Sequence, residues 1–234
     1  MDERAYQTPY FVIDEAELSR YFQMLTDSLS ESWGNFRVGY SFKTNSLPWL
    51  VTFLKKKGVM AEVVSDDEYA LAGKLGFEDS QIVYNGPVKK RDSFEKVLLA
   101  GGILNMDGRR ELDWLEELAA KHPDRRFKVG IRVNFDLEKL CPGETTMGEA
   151  GGRFGFGYEN GVFAQVVERV RSIGNADIAG LHLHSSSKSR SVKIFESIAE
   201  MACRLKREFG FELSYVDLGG GYCGGLKGRP EYPD

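Results

Sequence analysis

The sequence predicts an α/β protein, a (β/α)8 barrel of the TIM type that is incomplete. Short apolar runs alternate with amphipathic runs, which indicates repeated right-handed βαβ units. Within the runs one face is apolar and the other small or polar, whereas a doubly wound sheet would be apolar on both faces. Only seven barrel strands can be counted in the 234 residues. We therefore expect the barrel to stop before its eighth strand.

The predicted strands follow one another at the spacing of βαβ units. They are residues 37–43, 60–65, 81–86, 103–107, 128–134, 177–184 and 215–221. Amphipathic helices are predicted between them, at residues 67–77, 91–102, 108–122, 161–174 and 191–210. Another strand-like segment, TPYFVID at residues 8–14, precedes a helix at residues 14–29. We expect residues 1–30 to form a strand and a helix that lead into the barrel, and residues 31–234 to form the barrel.

An unclosed barrel leaves two strand edges without hydrogen-bond partners. For this reason we expect the chain to be the front portion of a longer protein.

Composition excludes several classes of function. The chain is 42% hydrophobic and 28% charged, which is ordinary for one soluble globular domain. Its net charge of −4, with both signs interleaved, offers no basic surface for nucleic acid or for an anionic membrane. Three scattered cysteines and the lack of an apolar leader indicate a reducing, cytoplasmic setting.

Lys43 is the first candidate for chemistry. The apolar positions of its strand leave it on the other face, at the carboxyl end, where a barrel places its active site. One interpretation is a lysine whose stem covers the strand end and whose ammonium pairs with Glu62, Asp66 or Asp67. The other is an amine that forms a Schiff base with an aldehyde. Its position alone does not decide between them.

Gly219, Gly220 and Gly221 follow the last predicted strand. Three glycines in a row expose backbone N–H groups, which suits a phosphate. The pattern is neither GxGxxG nor a P-loop. A flexible turn is the alternative interpretation, and the preceding strand, which ends at Asp217, favours the phosphate.

His182 and His184 alternate onto one strand face. They could form a metal pair, but no third ligand has a recognisable spacing, so no metal is predicted. An imidazole at a strand end could instead stack on a flat ligand, with the serines after His184 as donors to a phosphate. Two core histidines and a polar loop are the other alternative. The glycine-rich loop at residues 141–157 is expected to act as a lid.

Taken together, these segments resemble the pyridoxal-phosphate decarboxylases of the alanine-racemase-like barrel class (fold type III), the diaminopimelate and ornithine decarboxylase family. TPYFVID resembles the family's TPxYVYD, SFKTN its YAVKAN, and AEVVSDDEYALAGKLGF its DVVSxGELxLALxAGF. RFGF resembles KFGF, GLHLHSSS resembles GLHxHIGS, and YVDLGGGY resembles LDIGGGF. The resemblance runs from about Thr8 to Tyr222, with the motifs in the family's order.

The resemblance implies pyridoxal 5′-phosphate as the cofactor, with Lys43 as the Schiff-base lysine and His184 stacked on the pyridine ring. The other expected cofactor-binding residues are Gly219, Gly220, Gly221, Ser187, Arg132 and Glu62. Two positions depart from the family pattern: Glu62 stands where an aspartate is usual, and Ser186 where a glycine is usual.

The implied function is decarboxylation of an amino acid with a diaminopimelate-, ornithine- or lysine-like side chain. The full-length protein is expected to be a homodimer. This portion alone is expected to be inactive, because the family completes its site with strand eight and a C-terminal β-domain. The alternatives are an amino-acid racemase on the same barrel, a non-catalytic barrel for cofactor homeostasis, and a regulatory relative that has lost catalysis. Racemases on the same barrel resemble the chain at the lysine strand but follow it with a YGHG-like sequence that SLPW does not match.

Overall fold

The computed structural model describes residues 9–145, 152–185 and 191–221 of the chain. This part divides into two compact units, one up to Val38 and one from Gly39 onward. The first unit contains helix α1 (Glu15–Ser32), whose residues are all at least partly exposed. Asp14 caps this helix: its carboxylate accepts hydrogen bonds from the first backbone N–H groups, which lack partners inside the helix.

Of the strand predicted at residues 8–14, the structure describes residues 9–14, and these residues do not form a strand. Residues 9–14 pair with no strand there, and Phe11 is fully exposed. A strand needs a neighbour that exchanges backbone hydrogen bonds with it, and composition alone does not supply one. This extended segment ends instead at the cap of α1.

The second unit alternates strands and helices. Its strands are β1 (Gly39–Ser41), β2 (Met60–Val63), β3 (Ile82–Tyr84), β4 (Ile103–Met106), β5 (Phe127–Asn134), β6 (Phe156–Gly157), β7 (Ala176–His182) and β8 (Tyr215–Asp217). Its helices are α2 (Pro48–Lys56), α3 (Asp66–Lys74), α4 (Arg91–Ala100), α5 (Arg109–Lys121), α6 (Leu137–Leu140), α7 (Val162–Ser172) and α8 (Val192–Phe209), with a 3₁₀ turn at Asp79–Gln81. Helix α2 was not predicted, although Pro48 stands at the helical position that tolerates proline best.

The strands form one parallel sheet in the order β1-β2-β3-β4-β5-β7-β8, and the two-residue strand β6 pairs with β5. The seven predicted strands are therefore present, and β6 lies in the segment predicted as a loop. The sheet curls: Asn105 on β4 donates a hydrogen bond to Asp217 on β8, although two strands lie between them. The structure confirms the predicted barrel architecture over these strands.

The strand register brings the polar residues to one level. Arg132 on β5 pairs with His182 on β7, and His182 pairs with Asp217 on β8. Their neighbours Ile131 and Leu181 are fully buried and belong to the apolar core. Each such buried side chain stabilises the fold by about 1.5–3 kcal/mol. Because side chains alternate along a strand, the same packing that buries the apolar residues directs the polar ones to the interior.

None of the helices in the described part is long and apolar enough to span a membrane.

Candidate functional site

Four polar side chains meet inside the curled sheet. Asn85, which follows β3, donates from Nδ2 to Oε1 of Glu62 on β2 and to Oδ2 of Asp217, at 3.1 Å in each case. Asn105 donates from Nδ2 to Oδ1 of Asn85 at 2.8 Å and to Oδ2 of Asp217 at 3.2 Å. These bonds join three strands on one side of the interior to β8 on the other. Glu62, a predicted cofactor-binding residue, lies within this network.

Tyr215 forms the deeper layer of the same interior. Its hydroxyl donates to Oδ1 of Asn105 at 2.9 Å, and burial raises its pKa. A Cβ atom at Gly180 or at Gly130 would overlap the phenol ring or its hydroxyl, so both glycines leave room for the tyrosine. Sequence reasoning did not single out Tyr215. The signal was available, since strand alternation places residue 215 on the same face as Asp217.

Glu62 is a carboxyl group held away from its ordinary pKa. Burial raises the pKa, while hydrogen bonds from Ser41 and Asn85 act in the opposite direction. The nearby carboxylate of Asp217 raises it further, and the charge of Lys43 lowers it. Glu62 therefore keeps its proton more readily than an exposed glutamate does.

The two histidines lie close together and are neutral at pH 7. Their ring centroids are 6.3 Å apart with an interplanar angle of 24°. Burial lowers the pKa of His182, and it lowers the pKa of the half-buried His184 to about 4, with smaller contributions from His182, Arg132 and Lys43. Within the described residues, no group of three or more His, Cys, Asp or Glu side chains could hold a metal ion.

Lys43 lies just beyond β1, in a turn where the N–H of Thr44 donates to the carbonyl of Ser41. Its side chain is exposed, at the open end of the sheet. Burial is the main cause of the raised pKa of Glu62 and of the lowered pKa of His184. The positive charge of Lys43 lowers both pKa values, so it opposes the first shift and adds to the second. The amine therefore lies within electrostatic reach of both groups. Backbone pairing continues to Phe42, whose N–H donates to the carbonyl of Glu62 at 3.0 Å.

The glycine turn packs against His184. The N–H of Gly220 donates to Nδ1 of His184 at 3.2 Å, and the N–H of Gly219 donates to Oδ1 of Asp217 at 2.9 Å. Gly219 has a φ of +72°, and a Cβ atom there would overlap the imidazole. The predicted glycines and the predicted histidine are thus in direct contact. Gly221 also adopts a positive φ, of +94°.

Arg132 on β5 is buried, with 7% of its surface exposed. One terminal nitrogen donates to Oδ2 of Asp107 at 2.7 Å, and its guanidinium lies 4.9 Å from the ring centroid of Phe154. Within the described part of the chain, Nε of Arg132 and Nδ1 of His182 are buried without a hydrogen-bond partner. Buried polar atoms are usually satisfied, so both are free to meet a ligand.

Part of the predicted site lies outside the described residues. Ser187 and its neighbour Ser186 belong to that part, as do residues 146–151 of the predicted lid. The described end of the lid segment does reach the site: the N–H of Gly155 donates to Oδ1 of Asp107 at 2.7 Å, and Phe154 covers Arg132.

Comparison with known proteins identifies the group to which the chain belongs. The family model described as pyridoxal-dependent decarboxylase, pyridoxal binding domain, matches residues 16–231. The chain is a member of this family. Among its relatives are the diaminopimelate decarboxylase of Aquifex aeolicus, 27% identical over 97% of this chain and 53% of that protein, and the L-glutamyl-[BtrI acyl-carrier protein] decarboxylase of Niallia circulans, 26% identical over 94% of this chain and 51% of that protein.

Solved structures show the same fold. The diaminopimelate decarboxylase from Helicobacter pylori, complexed with L-lysine, superposes with a TM-score of 0.71 at 22% identity, over 94% of this chain and 55% of that chain. The enzyme from M. jannaschii, in co-complex with L-lysine, gives 0.70 at 24% identity, over 90% and 50%. The chain spans about half the length of the curated relatives that it matches.

The family implies pyridoxal 5′-phosphate, and the residues present fit that cofactor. The open end of the sheet offers an exposed amine, a neutral imidazole ring and a glycine turn without side chains, and the interior offers a guanidinium with one unsatisfied N–H in the described part. An aldehyde, a flat aromatic ring and a phosphate dianion are the groups that such donors and surfaces complement.

Proposed function

We propose that the chain binds pyridoxal 5′-phosphate, that Lys43 holds it covalently through Nζ, and that the protein decarboxylates an α-amino acid. One observation carries the proposal: the imidazole of His184 accepts a hydrogen bond from the glycine turn and also lies within the electrostatic reach of Lys43. The family membership reported above supports the choice of cofactor.

The binding roles follow from the chemistry of each group. The backbone of Gly219, Gly220 and Gly221 serves the phosphate, since glycines let an anion approach the main chain closely. The N–H groups of Gly219 and Gly220 donate to Asp217 and His184 in the free chain, so they would exchange these acceptors for the anion. Ser187 assists them. The neutral ring of His184 packs on the face of the cofactor ring. An imidazolium would be less favourable there, because the cofactor ring carries positive charge when its nitrogen is protonated.

Arg132 and Glu62 line the remainder of the site. The guanidinium of Arg132 has one N–H without a partner in the described residues and supplies a positive charge for an anionic ligand group. Glu62 holds a proton more readily than usual and lies within the electrostatic reach of Lys43. It can therefore exchange a proton with Nζ of Lys43 once that amine is free.

When bound, the cofactor supplies a conjugated ring that accepts the electron pair left behind as the substrate carboxylate departs as CO₂. The protein residues then have two tasks. His184 and the glycine turn fix the orientation of the ring, which determines which bond to the substrate Cα lies along the π-system. Lys43, once displaced by the substrate amine, can return a proton to that carbon.

Covalent trapping tests the assignment of Lys43. The chain is incubated with pyridoxal 5′-phosphate, reduced with borohydride and digested, and the pyridoxyl-bearing peptide is identified by mass spectrometry. We expect the adduct on the peptide that contains Lys43, and its loss in Lys43→Arg. Lys56→Arg is the matched control, because Lys56 is an exposed lysine on the last turn of the neighbouring helix α2. Equal labelling of many lysines, or an adduct that survives Lys43→Arg, contradicts the proposal.

The substrate class is tested by product analysis. We propose a diaminopimelate-, ornithine- or lysine-like amino acid, and the names of the relatives favour diaminopimelate. CO₂ release is measured with these three substrates on the protein purified at the length that its own gene encodes. Loss of optical rotation without CO₂ release would identify a racemase and overturn the proposed reaction, although not the role of Lys43.

A further inference from the structure

A buried ion pair lies next to the site and has no part in the roles given above. Nζ of Lys89 lies 2.8 Å from Oε1 of Glu111, and both side chains are almost fully inaccessible to solvent. Lys89 also donates to the carbonyls of Gly86 and Asn105, at 2.5 Å and 3.0 Å, so all three of its protons are used. The pair thus holds together the carboxyl ends of β3 and β4. Stability alone does not account for such a pair, since apolar residues of similar size often stabilise a core equally well.

The second oxygen of Glu111 points toward the site. Its Oε2 accepts hydrogen bonds from the backbone N–H of Asp107 at 2.6 Å and from that of Gly108 at 3.2 Å. Because Lys89 holds one oxygen of the carboxylate and these N–H groups hold the other, the Glu111 side chain has little freedom to rotate. The Glu111 carboxylate therefore holds the backbone N–H of Asp107 in a fixed position.

Asp107 passes this constraint to Arg132. One carboxylate oxygen accepts from the guanidinium of Arg132 at 2.7 Å, and the other accepts from the N–H of Gly155 at 2.7 Å. Gly155 has a φ of +78°, and a Cβ atom there would lie 2.7 Å from the carbonyl oxygen of Arg132. The Asp107 carboxylate therefore holds both the arginine and the loop that covers it.

We propose that Lys89 and Glu111 are positioning residues for Arg132: the buried pair orients Asp107, and Asp107 aims the guanidinium into the cofactor site. The inference rests on the proposed function for the ligand that Arg132 meets. The series of contacts from Lys89 and Glu111 through Asp107 to Arg132 does not depend on the proposed function, because it lies within this chain. A charged pair directs hydrogen bonds as an apolar pair cannot, which gives a reason for burying it.

Two double variants separate orientation from stability. Lys89→Gln with Glu111→Gln removes both charges but keeps an oxygen that can accept from the N–H of Asp107. Lys89→Met with Glu111→Leu also removes both charges and leaves that N–H without an acceptor. Neither variant buries an unpaired charge, so both are expected to fold.

The first readout needs no cofactor. In chain labelled with ¹⁵N-arginine, the Nε–H signal of Arg132 is assigned by its loss in Arg132→Lys, and its exchange with solvent is measured. We expect exchange about tenfold faster in the apolar double variant, and within about threefold of wild type in the glutamine double variant. Urea denaturation of the same samples reports stability separately.

The second readout is the affinity for pyridoxal 5′-phosphate, measured by titration. We expect it to be about tenfold weaker in the apolar double variant and nearly unchanged in the glutamine one. Equal behaviour of the two double variants in both readouts overturns the inference. If exchange at Arg132 is faster in the apolar double variant as expected, but wild type forms no adduct at Lys43, the positioning role stands and the proposed function fails.

A third double variant covers the case in which the apolar pair does not fold. Lys89→Gln with Glu111→Met buries no charge, keeps a side-chain donor near the carbonyls of Gly86 and Asn105, and leaves the N–H of Asp107 without an acceptor. We expect faster exchange at Arg132 in this variant, and unchanged exchange contradicts the proposal.

Discussion

The imidazole of His184, which follows β7, accepts a hydrogen bond on Nδ1 from the backbone N–H of Gly220, which follows the paired strand β8. The bond joins the two elements that the sequence assigned separately to a ring and to a phosphate. It also requires a neutral histidine, since a protonated Nδ1 can only donate.

We predict that Gly219→Ala disrupts this contact. The methyl group would overlap the imidazole, and the positive φ of Gly219 disfavours any side chain. We expect the affinity for pyridoxal 5′-phosphate to fall by at least about tenfold, with a loss of about 1–2 kcal/mol in the free energy of unfolding. Titration and urea denaturation measure the two effects. Gly220→Ala is the matched control, because a Cβ atom at Gly220 meets nothing within 4 Å. A loss for Gly220→Ala as large as that for Gly219→Ala would contradict the explanation.

We predict that the chain loses stability as the pH falls toward 4. In the folded chain the pKa of His184 is lowered to about 4, against an ordinary value of 6.5. Between these values the unfolded chain binds more protons, so the free energy of unfolding decreases as the pH is lowered. His184 contributes on the order of 2–3 kcal/mol to this decrease.

His184→Phe keeps a ring and removes the titrating group. Urea denaturation at several pH values compares it with wild type. We expect a smaller pH dependence in the variant, although not its disappearance, because burial also lowers the pKa of His182. An unchanged pH dependence would show that His184 is not held neutral in the folded chain.

We predict that Glu62→Gln stabilises the fold at neutral pH. Burial raises the pKa of Glu62, so the ionised carboxylate is less favourable in the folded chain than in the unfolded one. Glutamine keeps an oxygen for the amide of Asn85 and carries no charge. We expect a gain of about 0.5–1 kcal/mol at about pH 7 that disappears below the ordinary glutamate pKa. Glu212→Gln, on an exposed glutamate, serves as the control, and a destabilised Glu62→Gln would refute the argument.

The barrel could be predicted from the sequence because the pattern that indicates it lies within short stretches of the chain. Alternation along each strand, such as that of Arg132 with Ile131, requires only neighbouring residues, and it correctly placed the polar groups inside. The position of Lys43 after β1 was accessible for the same reason. Helix α2 was not predicted because its nine residues follow a loop-like stretch. Pro48, which favours the first turn of a helix, was not used as a sign of a helix start.

Contacts between distant segments could not be predicted in this way. Asp107 and Arg132 are 25 residues apart, and Lys89 and Glu111 are 22 apart. Nothing in either local pattern indicates that these charges meet, since the pairing depends on how the strands and helices pack. The strand predicted at residues 8–14 is not formed over residues 9–14, which the structure describes, for a related reason: the apolar residues matched a strand, but a pairing neighbour cannot be read from composition.

The fit of Tyr215 between Gly130 and Gly180 also constrains how this protein can change through evolution. A larger residue at either glycine becomes tolerable only once the tyrosine has been exchanged for a smaller one, so the three positions should co-vary across three adjacent strands. We expect evolution to substitute these residues in pairs that conserve the total side-chain volume, because a single substitution at either glycine would create an overlap.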